Sequence, residues 1–340
     1  MRGVVFPGDR RAEVRDFPDP TPGPDEVVVQ MKASGLCGSD LHLYRQSTKQ
    51  RAGNNTIPGH EPSGVVAALG ENVTRVRVGD RVSVYHYLGC GHCKHCLAGN
   101  IMWCAERRGY GGPIHGADAD YILTDERNCL LLPDELSFAH GALIACAAGT
   151  AYSSMRKLQP SGGDTVAIFG QGPVGLCGLL MAKGMGGRVI GVEPIQERRD
   201  LALALGVDEV IDPAQVENIR DAIHELTHGE GADLAFETSG SAAGQNGAVD
   251  CLRLGGKAAF VGFGVREKTL NPSQFIGRQL TLMGSFVIPI YMYWDLVQFI
   301  IDHQLPLEKM VTHRLSIEDA PEAFRIFDGG RTGKMIFEWT

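Results

Sequence analysis

The chain lacks any long apolar run, which argues against a membrane-spanning helix. Such a helix needs roughly eighteen or more consecutive apolar residues. The chain also lacks an excess of positive charge, since 32 lysines and arginines stand against 40 aspartates and glutamates and leave a net charge of −8. This balance argues against a general binder of nucleic acid or of anionic membranes. We see no internal repeat and no low-complexity segment.

A secretory signal pattern is missing as well, because the sequence passes from Met1 directly into a strand-like pattern. The cysteines number nine, an odd count, and most of them have the spacing of metal ligands. Disulfide frameworks are typical of short secreted domains instead. We therefore expect this protein in the reducing cytoplasm.

The 340 residues are enough for about two domains, and a hydrophobic fraction of 44% is ordinary for a soluble enzyme. Residues 1–147 consist of short strand-like runs separated by turns, which predicts a mainly-β domain. Residues 148–288 repeat strand, glycine turn and helix, which predicts a doubly wound parallel sheet. Residues 289–340 contain a helix-like stretch and end in a strand-like run. The predicted fold class is α/β.

Four cysteines in fifteen residues follow the pattern Cys90-x2-Cys93-x2-Cys96-x7-Cys104. Thiolates at this spacing reach one ion and close a tetrahedron around it, so the pattern predicts a structural zinc site in a lobe spanning about 88–106. An iron–sulfur cluster fits less well, because its last gap is three residues and a proline follows the fourth cysteine. His92 and His95 lie inside the run and remain possible replacement ligands.

A glycine turn follows the strand-like run Asp164–Phe169 and precedes a helix-like stretch. The turn reads Gly170-Gln-Gly172-Pro-Val-Gly175. Glycines in this context let a dinucleotide pyrophosphate approach the helix N-terminus, so the motif predicts a dinucleotide site.

The next strand-like run ends in Glu193, whose carboxylate is suited to the ribose hydroxyls of the cofactor. A carboxylate there repels a 2′-phosphate, which favours NAD over NADP. Arg198 and Arg199 keep the alternative open, because either guanidinium is able to pair with a phosphate.

Cys37, His60 and Cys146 are the remaining candidates for metal chemistry. Two cysteines and one histidine supply three ligands and leave a fourth position for water or substrate, as in a catalytic zinc site. Taken singly, His60 is equally consistent with a satisfied polar residue and Cys146 with a buried apolar one.

Three motifs in the first 82 residues resemble those of the zinc-containing medium-chain alcohol dehydrogenases. They are Cys37-Gly-Ser-Asp-Leu-His42, Gly59-His60-Glu61-Pro-Ser-Gly64-x5-Gly70-x2-Val73 and Val78-Gly-Asp-Arg-Val82. The glycine turn and the four-cysteine lobe occur where that family has them. The resemblance implies a GroES-like catalytic domain formed by both termini, a Rossmann domain between them and an active cleft where the two meet.

The resemblance also implies roles for individual residues. Cys37, His60 and Cys146 correspond to the catalytic zinc ligands, Glu61 to an acidic residue that can approach the metal, and Asp40 to the carboxylate that orients His60. Ser39 corresponds to the hydroxyl that contacts the substrate alcohol and His42 to the outer end of a proton relay. Thr150 and Val174 correspond to contacts of the nicotinamide, and Arg198 to a contact of the adenosine ribose.

The function these features imply is NAD-dependent and zinc-dependent hydride transfer between an alcohol and its ketone or aldehyde, with two zinc ions per chain. Ser39, smaller than the threonine of relatives, favours secondary alcohols. A polyol or amino-cyclitol substrate is an alternative, although sorbitol-type relatives carry a glutamate where this chain has Ala145. A non-catalytic, crystallin-like protein and a zinc-free quinone reductase are weaker alternatives. We expect a homodimer or homotetramer.

Two smaller predictions concern side chains away from these motifs. Asp118 and Asp120 are expected to be solvated loop charges, and contact with a polar substrate is the alternative. Tyr44, Trp103, Phe286 and Tyr291 are candidates for the lining of the substrate pocket.

Overall fold

A computed structural model represents the protein, and it describes residues 1–264 and 270–340. The chain divides into two compact units. The first comprises Met1–Cys146, Pro289–Ile301 and Val311–Thr340, and the second comprises Ala147–Ile288 and Asp302–Met310. Among the described residues, no helix combines the length and the apolar character needed to cross a membrane.

The first unit is built mainly from strands, as the short apolar runs predict. Its strands are β1 (Arg2–Gly8), β2 (Arg11–Asp16), β3 (Glu26–Gly35), β4 (Pro62–Leu69), β5 (Arg81–Val84), β6 (Tyr87–Leu88), β7 (Arg108–Gly109), β8 (Tyr121–Asp125), β9 (Cys129–Leu131), β16 (Val311–Leu315) and β17 (Lys334–Glu338). Seven of them form one sheet in the order β16-β17-β3-β4-β5-β9, with β8 also paired to β3. β1 pairs with β2, and β6 pairs with β7.

Helices in the first unit are short. They are α1 (Asp40–Tyr44), α2 (Thr48–Arg51), α3 (Lys94–Leu97), α4 (Phe138–Leu143), α11 (Tyr293–Asp302) and α12 (Ala320–Asp328), with 3-10 turns at Ile101–Trp103, Glu126–Asn128, Ile290–Met292 and Ile317–Asp319. The apolar face of α12 packs Phe324 against Phe6 and Tyr44 in one core cluster. Val27, Val29 and Met31 of β3 belong to a second cluster, so these alternate residues share one face of the central strand.

The second unit alternates strands and helices. Its strands are β10 (Thr165–Phe169), β11 (Arg188–Val192), β12 (Glu209–Ile211), β13 (Ala232–Glu237), β14 (Leu252–Phe260) and β15 (Thr281–Gly284). Its helices are α5 (Gly149–Leu158), α6 (Pro173–Gly184), α7 (Gln196–Ala204), α8 (Ile219–Leu226), α9 (Ala242–Asp250) and α10 (Ser273–Ile276), with a 3-10 turn at Leu307–Met310.

The six strands of the second unit form one sheet in the order β12-β11-β10-β13-β14-β15, and all neighbours are parallel. The chain winds outward from β10 to β12 and then returns to wind the other way from β13. With right-handed crossovers, a reversal of this kind places helices on both faces of the sheet. The predicted doubly wound parallel sheet is confirmed.

One segment lies in a different unit from the one predicted. Residues 302–310 were expected with the catalytic domain, but Asp302–Met310 belongs to the second unit. The reason is burial, because Leu307 and Met310 are fully buried and the Cys177 thiol of α6 lies 3.7 Å from the Met310 sulfur.

Candidate active site and metal centres

Cys37, His60, Glu61 and Cys146 meet in the first unit, although 109 residues separate the first from the last (146 − 37). One ligand atom from each of the four lies within 4.8 Å of the others. Two sulfurs and an imidazole nitrogen make a donor set that suits zinc. The structure therefore places the three predicted ligands around one point.

Local backbone geometry brings these side chains together. Cys37 follows the end of β3, and His60 and Glu61 directly precede β4, which is antiparallel to β3. Gly59 has φ +88, and a Cβ there would lie 2.4 Å from Asp118 Oδ1, so both the turn and the close approach require glycine. Cys146 lies in a π-helical turn, Ile144–Ala148, of a kind often found at functional sites.

Asp40 orients two of the candidate ligands. Its Oδ1 lies 3.0 Å from His60 Nδ1, and its Oδ2 accepts a 2.9 Å hydrogen bond from the backbone N–H of Cys37. A carboxylate only accepts, so His60 Nδ1 carries the proton and Nε2 offers its lone pair to a metal. This contact matches the orienting role expected for Asp40.

The side chains of this cluster shift one another's pKa values. The hydrogen bond with Cys146 lowers the pKa of Cys37 well below its ordinary value, with help from His60 and Lys334, and the same bond raises the pKa of Cys146. Although burial opposes protonation of His60, Asp40 and Cys37 raise its pKa. Cys146 and the Nε2 of His60 thus hold protons that a metal ion displaces when it binds.

Ser39 and His42 lie at the edge of this cluster. Ser39 is the residue preceding α1, and its hydroxyl lies 3.3 Å from Cys37 Sγ and 3.5 Å from His60 Nε2. His42 is exposed one turn later, and its backbone N–H donates to the Ser39 carbonyl at 3.2 Å. A hydroxyl beside the metal ligands and an exposed imidazole on the same turn are suited to carry a proton outward.

Glu61 is fully buried and pairs with the equally buried Lys334, the first residue of β17. Burial raises the pKa of Glu61 to about 7, although Lys334 opposes the shift. Burial lowers the pKa of Lys334, but the carboxylate and the thiol of Cys37 outweigh it and the net shift is upward. Lys334 Nζ also donates to the Leu36 carbonyl at 2.9 Å, which fixes the ammonium beneath the cluster.

The four cysteines of the lobe form a second cluster. Their sulfurs lie within 4.8 Å of one another, and Cys104 is buried whereas the other three are half-buried. Cys93 Sγ accepts from Cys96 N and Cys104 Sγ from Cys90 N, both at 3.5 Å. Four converging sulfurs with backbone N–H donors fit a closed zinc site.

Arg127 supplies positive charge near this lobe. Its guanidinium donates to both oxygens of Asp125, at 2.8 and 2.7 Å. Those hydrogen bonds raise the pKa of Arg127, and the nearby Cys96 and Cys90 add to the shift. The clamped guanidinium partly offsets the charge of the thiolates.

The predicted dinucleotide turn lies between β10 and α6 in the second unit. Helix α6 begins at Pro173, and Gly172 is the residue immediately before it. A Cβ at Gly175 would lie 1.9 Å from the Gly170 carbonyl oxygen, so only glycine allows this packing. Val174 is half-buried on the first turn of the helix, whose free N–H groups form a site for a phosphate.

Glu193 lies at the end of β11, buried beneath this turn. Its Oε2 accepts from Gln171 N at 2.6 Å and its Oε1 from Ile195 N at 3.0 Å. Each carboxylate oxygen has a second lone pair, so these bonds leave acceptor capacity for a ribose hydroxyl.

The two arginines after Glu193 have different surroundings. Arg199 pairs with Asp212 at 2.8 Å and donates to the Glu193 carbonyl at 2.9 Å. Arg198 Nη1 lies 3.8 Å from the position of a Cβ at Gly172, next to the glycine turn. Of the two, Arg198 is therefore the one placed to contact a cofactor. Thr150 is buried near the start of α5.

Two family matches cover most of the chain. Residues 23–134 match the family described as "Alcohol dehydrogenase GroES-like domain", and residues 173–302 match "Zinc-binding dehydrogenase". The chain is 35% identical to the uncharacterized zinc-type alcohol dehydrogenase-like protein YphC of Escherichia coli (strain K12), over 100% of this chain and 99% of that protein. The chain belongs to the zinc-binding alcohol dehydrogenase family.

Other members of the family are similarly close. The L-threonine 3-dehydrogenase of Rhizobium etli (strain CIAT 652) is 31% identical over 96% of this chain and 94% of the relative. A crystal structure of an NAD-dependent alcohol dehydrogenase is 30% identical and covers 100% of both chains with a TM-score of 0.89. The predicted family and the pairing of a GroES-like with a Rossmann domain are confirmed.

The sequence patterns did not predict the surroundings of three buried polar residues of the first unit, which are Lys334, His86 and Asp118. Lys334 is distant in sequence from Glu61, and no local motif connects them. His86 donates from Nδ1 to the Ala145 carbonyl at 2.6 Å, and its ring centroid lies 5.6 Å from that of His60. Burial, with a contribution from His60, lowers the pKa of His86 to about 4. The available signal was its position four residues before Cys90.

Asp118 is the third missed residue, and the prediction of a solvated charge is wrong for it. It is fully buried, and Ser34 Oγ donates to its Oδ1 at 2.7 Å. Burial, aided by Asp40, raises the pKa of Asp118 to about 7. Asp120 is also not a free loop charge, because it pairs with Arg2 at 2.7 Å and accepts from Trp339 Nε1 at 2.9 Å.

Tyr44, which was a candidate for the lining of the substrate pocket, is part of an apolar core cluster. It is buried in the apolar core between Phe6 and Phe324, where its ring is stacked at a centroid distance of 5.6 Å from the Phe324 ring. Trp103 and Tyr291, two other candidates for the pocket lining, are exposed.

Proposed function

We propose that this protein oxidises a secondary alcohol to a ketone with NAD and catalyses the reverse reduction, using a zinc ion held by Cys37, His60 and Cys146. The convergence of these three ligand atoms, together with Glu61, within 4.8 Å of one another carries the proposal. Three protein ligands leave the open position that separates a catalytic zinc from a structural one.

Zinc at this site supplies a Lewis acid toward an alcohol or carbonyl oxygen. Ser39 accepts the proton of the substrate hydroxyl as its own proton leaves toward solvent, and the exposed His42 corresponds to the outer end of that relay. Asp40 holds His60 in the tautomer that presents Nε2. Glu61 with Lys334 forms a buried ion pair next to the ligands, which keeps this carboxylate balanced by a fixed cation.

The hydride acceptor binds to the second unit in this proposal. Gly170, Gly172 and Gly175 let the pyrophosphate approach the N-terminus of α6. Glu193 accepts from the adenosine ribose, and Arg198 lies at the same end of the site. Thr150 and Val174 are proposed contacts of the nicotinamide.

The substrate class follows from the small Ser39 and from the relatives. An L-threonine 3-dehydrogenase is among them, and the group it oxidises is a secondary alcohol. An amino alcohol of this kind is therefore a specific candidate beside simple secondary alcohols, and polyols are a third class to test.

We further propose two zinc ions per chain, the second one in the four-cysteine lobe. None of the nine cysteines, all of which lie within the described residues, forms a disulfide, as zinc ligation in a reducing cytoplasm requires. We propose a homodimer or homotetramer, the assembly expected from the family resemblance.

The test is a panel of substrates followed by NADH absorbance, with simple secondary alcohols, L-threonine and polyols in one direction and the ketones in the other. We expect turnover with at least one secondary alcohol, and its loss in His60→Ala. If zinc-loaded enzyme reduces NAD with none of the panel, or if His60→Ala remains fully active, the proposal is wrong.

A further inference from the structure

We propose that Cys90, His92 and Glu106 form a third metal site, which takes up zinc from solution and transfers it to the four-cysteine site. One ligand atom from each of the three lies within 4.8 Å of the others. Sulfur, imidazole nitrogen and carboxylate oxygen are all ligands that zinc accepts. This inference concerns metal acquisition and rests only on the proposed zinc in the lobe, not on the hydride-transfer reaction.

The short strand pair β6–β7 brings the segments of Cys90 and Glu106 together. The two strands are antiparallel, with Tyr87 opposite Gly109 and Leu88 opposite Arg108. Cys90 lies two residues after β6, and Glu106 lies in the turn two residues before β7. Their ligand atoms lie within 4.8 Å of each other.

His92 is held over the same point by its own turn. Its Nδ1 lies 3.0 Å from the Cys90 carbonyl oxygen, which only accepts, so Nδ1 carries the proton. The remaining nitrogen, Nε2, therefore presents a lone pair, as in histidines that bind zinc with the other ring N–H donated to a carbonyl.

Exposure separates the two sites that share Cys90. His92 and Glu106 are exposed, whereas Cys104 of the four-cysteine site is only 1% exposed. A closed four-sulfur site has no open position, so an entering ion needs an initial set of accessible ligands. The shared thiolate lets the ion keep one bond while the exposed ligands are exchanged for Cys93, Cys96 and Cys104.

The negative charge of the thiolates also favours binding of zinc at the exposed site before its transfer to the four-cysteine site. Four thiolates carry more negative charge than one zinc ion neutralises, so the sulfur of Cys90 retains electron density for a second cation. During transfer the cysteine thiols release their protons to solvent, and zinc keeps its oxidation state throughout.

The experiment uses the full-length zinc-loaded protein and follows the entry of cadmium into the lobe by cadmium NMR, which separates a four-sulfur site from a mixed sulfur–nitrogen site. We expect His92→Ala and Glu106→Gln to slow entry into the four-sulfur site by about tenfold, since the loss of a ligand weakens the first complex. His95→Ala is the matched control, because His95 lies in the same lobe outside the three-residue set.

Binding to the exposed site is measured separately. Zinc added to the loaded protein in competition with a chromogenic chelator should fill one additional site per chain in the wild type and in His95→Ala, and none in His92→Ala or Glu106→Gln. Glu106→Gln alters an exposed side chain, so it leaves the fold of the lobe intact. Equal rates and equal zinc binding in all four proteins would overturn the proposal, whatever the enzyme's activity toward alcohols.

Discussion

The two cysteine clusters of the first unit contain the same kind of ligand but have opposite surroundings. The lobe cluster has four sulfurs, backbone N–H donors and one clamped arginine. The other cluster has two sulfurs and one imidazole, and it is bordered by an ion pair, a carboxylate and a hydroxyl. In the proposed assignment, four ligands leave no open position at the lobe site. The three ligands of the other site leave one, and groups suited to carry protons lie beside it.

In the proposed assignment, buried charge distinguishes the working metal site from the bracing one. Around the mixed cluster, Asp40, Glu61 and Lys334 are all buried. Burying such charges is costly unless each is paired, and clusters of buried, perturbed charges are typical of functional sites. In the lobe, two backbone N–H groups, those of Cys90 and Cys96, donate to the sulfurs, and the Arg127 guanidinium nearby is paired with Asp125.

The largest effect is expected at His60. His60→Ala removes one of three ligands, so kcat should fall by about a thousandfold or more while the protein still binds NADH, because the dinucleotide turn is formed by other residues. Steady-state kinetics and NADH fluorescence titration measure the two quantities. His95→Ala, in the lobe, should leave kcat unchanged, and a comparable loss in both variants would break the distinction between the sites.

Lys334 should produce the next largest effect, on stability. Lys334→Met leaves Glu61 buried without its cation, which should lower the free energy of unfolding by about 3–5 kcal/mol. The double variant Glu61→Gln/Lys334→Met removes both charges and should recover most of the loss. Urea denaturation followed by tryptophan fluorescence checks this, and equal destabilisation in the single and double variants would contradict it.

His86 should have a moderate effect on stability. His86→Leu leaves the buried Ala145 carbonyl, next to Cys146, without its donor, at a cost of about 1–3 kcal/mol. His86→Gln retains an N–H that is able to reach a carbonyl and should be milder. The midpoints of urea denaturation of the two variants, compared with wild type, decide whether this hydrogen bond supports the turn that carries Cys146.

Asp118 should produce the smallest effect, visible as pH dependence. Its pKa in the fold is about 7 against 3.8 for an ordinary aspartate. The folded protein therefore holds a proton that the unfolded chain has lost between these values, so stability should fall as pH rises through this window. Relative to wild type, Asp118→Asn should gain about 1–3 kcal/mol between about pH 5 and about pH 8. A pH-independent difference in unfolding free energy would show that Asp118 stays ionised.

The sequence was sufficient to predict those features of the fold and of the site that depend on local spacing. The strand–turn–helix around Gly170, the Cys90–Cys104 run and the alternation that predicts the parallel sheet are each readable within a few dozen residues. Cys37 and Cys146 could be proposed as metal ligands because few residue types bind zinc and because the chain resembles a known family.

The remainder depends on contacts that only the folded chain makes. Lys334 reaches Glu61 because β17 pairs with β3, at a sequence distance of hundreds of residues. Asp118 is buried because its segment crosses beneath the Gly59 turn, a packing that composition does not reveal. Asp302–Met310 joined the second unit because the burial of Leu307 and Met310 outweighed its position in the chain.

Zinc content per chain tests the central claim most directly. Elemental analysis of the purified protein should find two zinc ions per chain in the wild type, and one in both His60→Ala and Cys93→Ser. Only His60→Ala should lose turnover per folded molecule, while Cys93→Ser should lose thermal stability. Wild-type protein that carries no zinc and still transfers hydride, or Cys93→Ser that loses both ions, would contradict the account of one working and one bracing site.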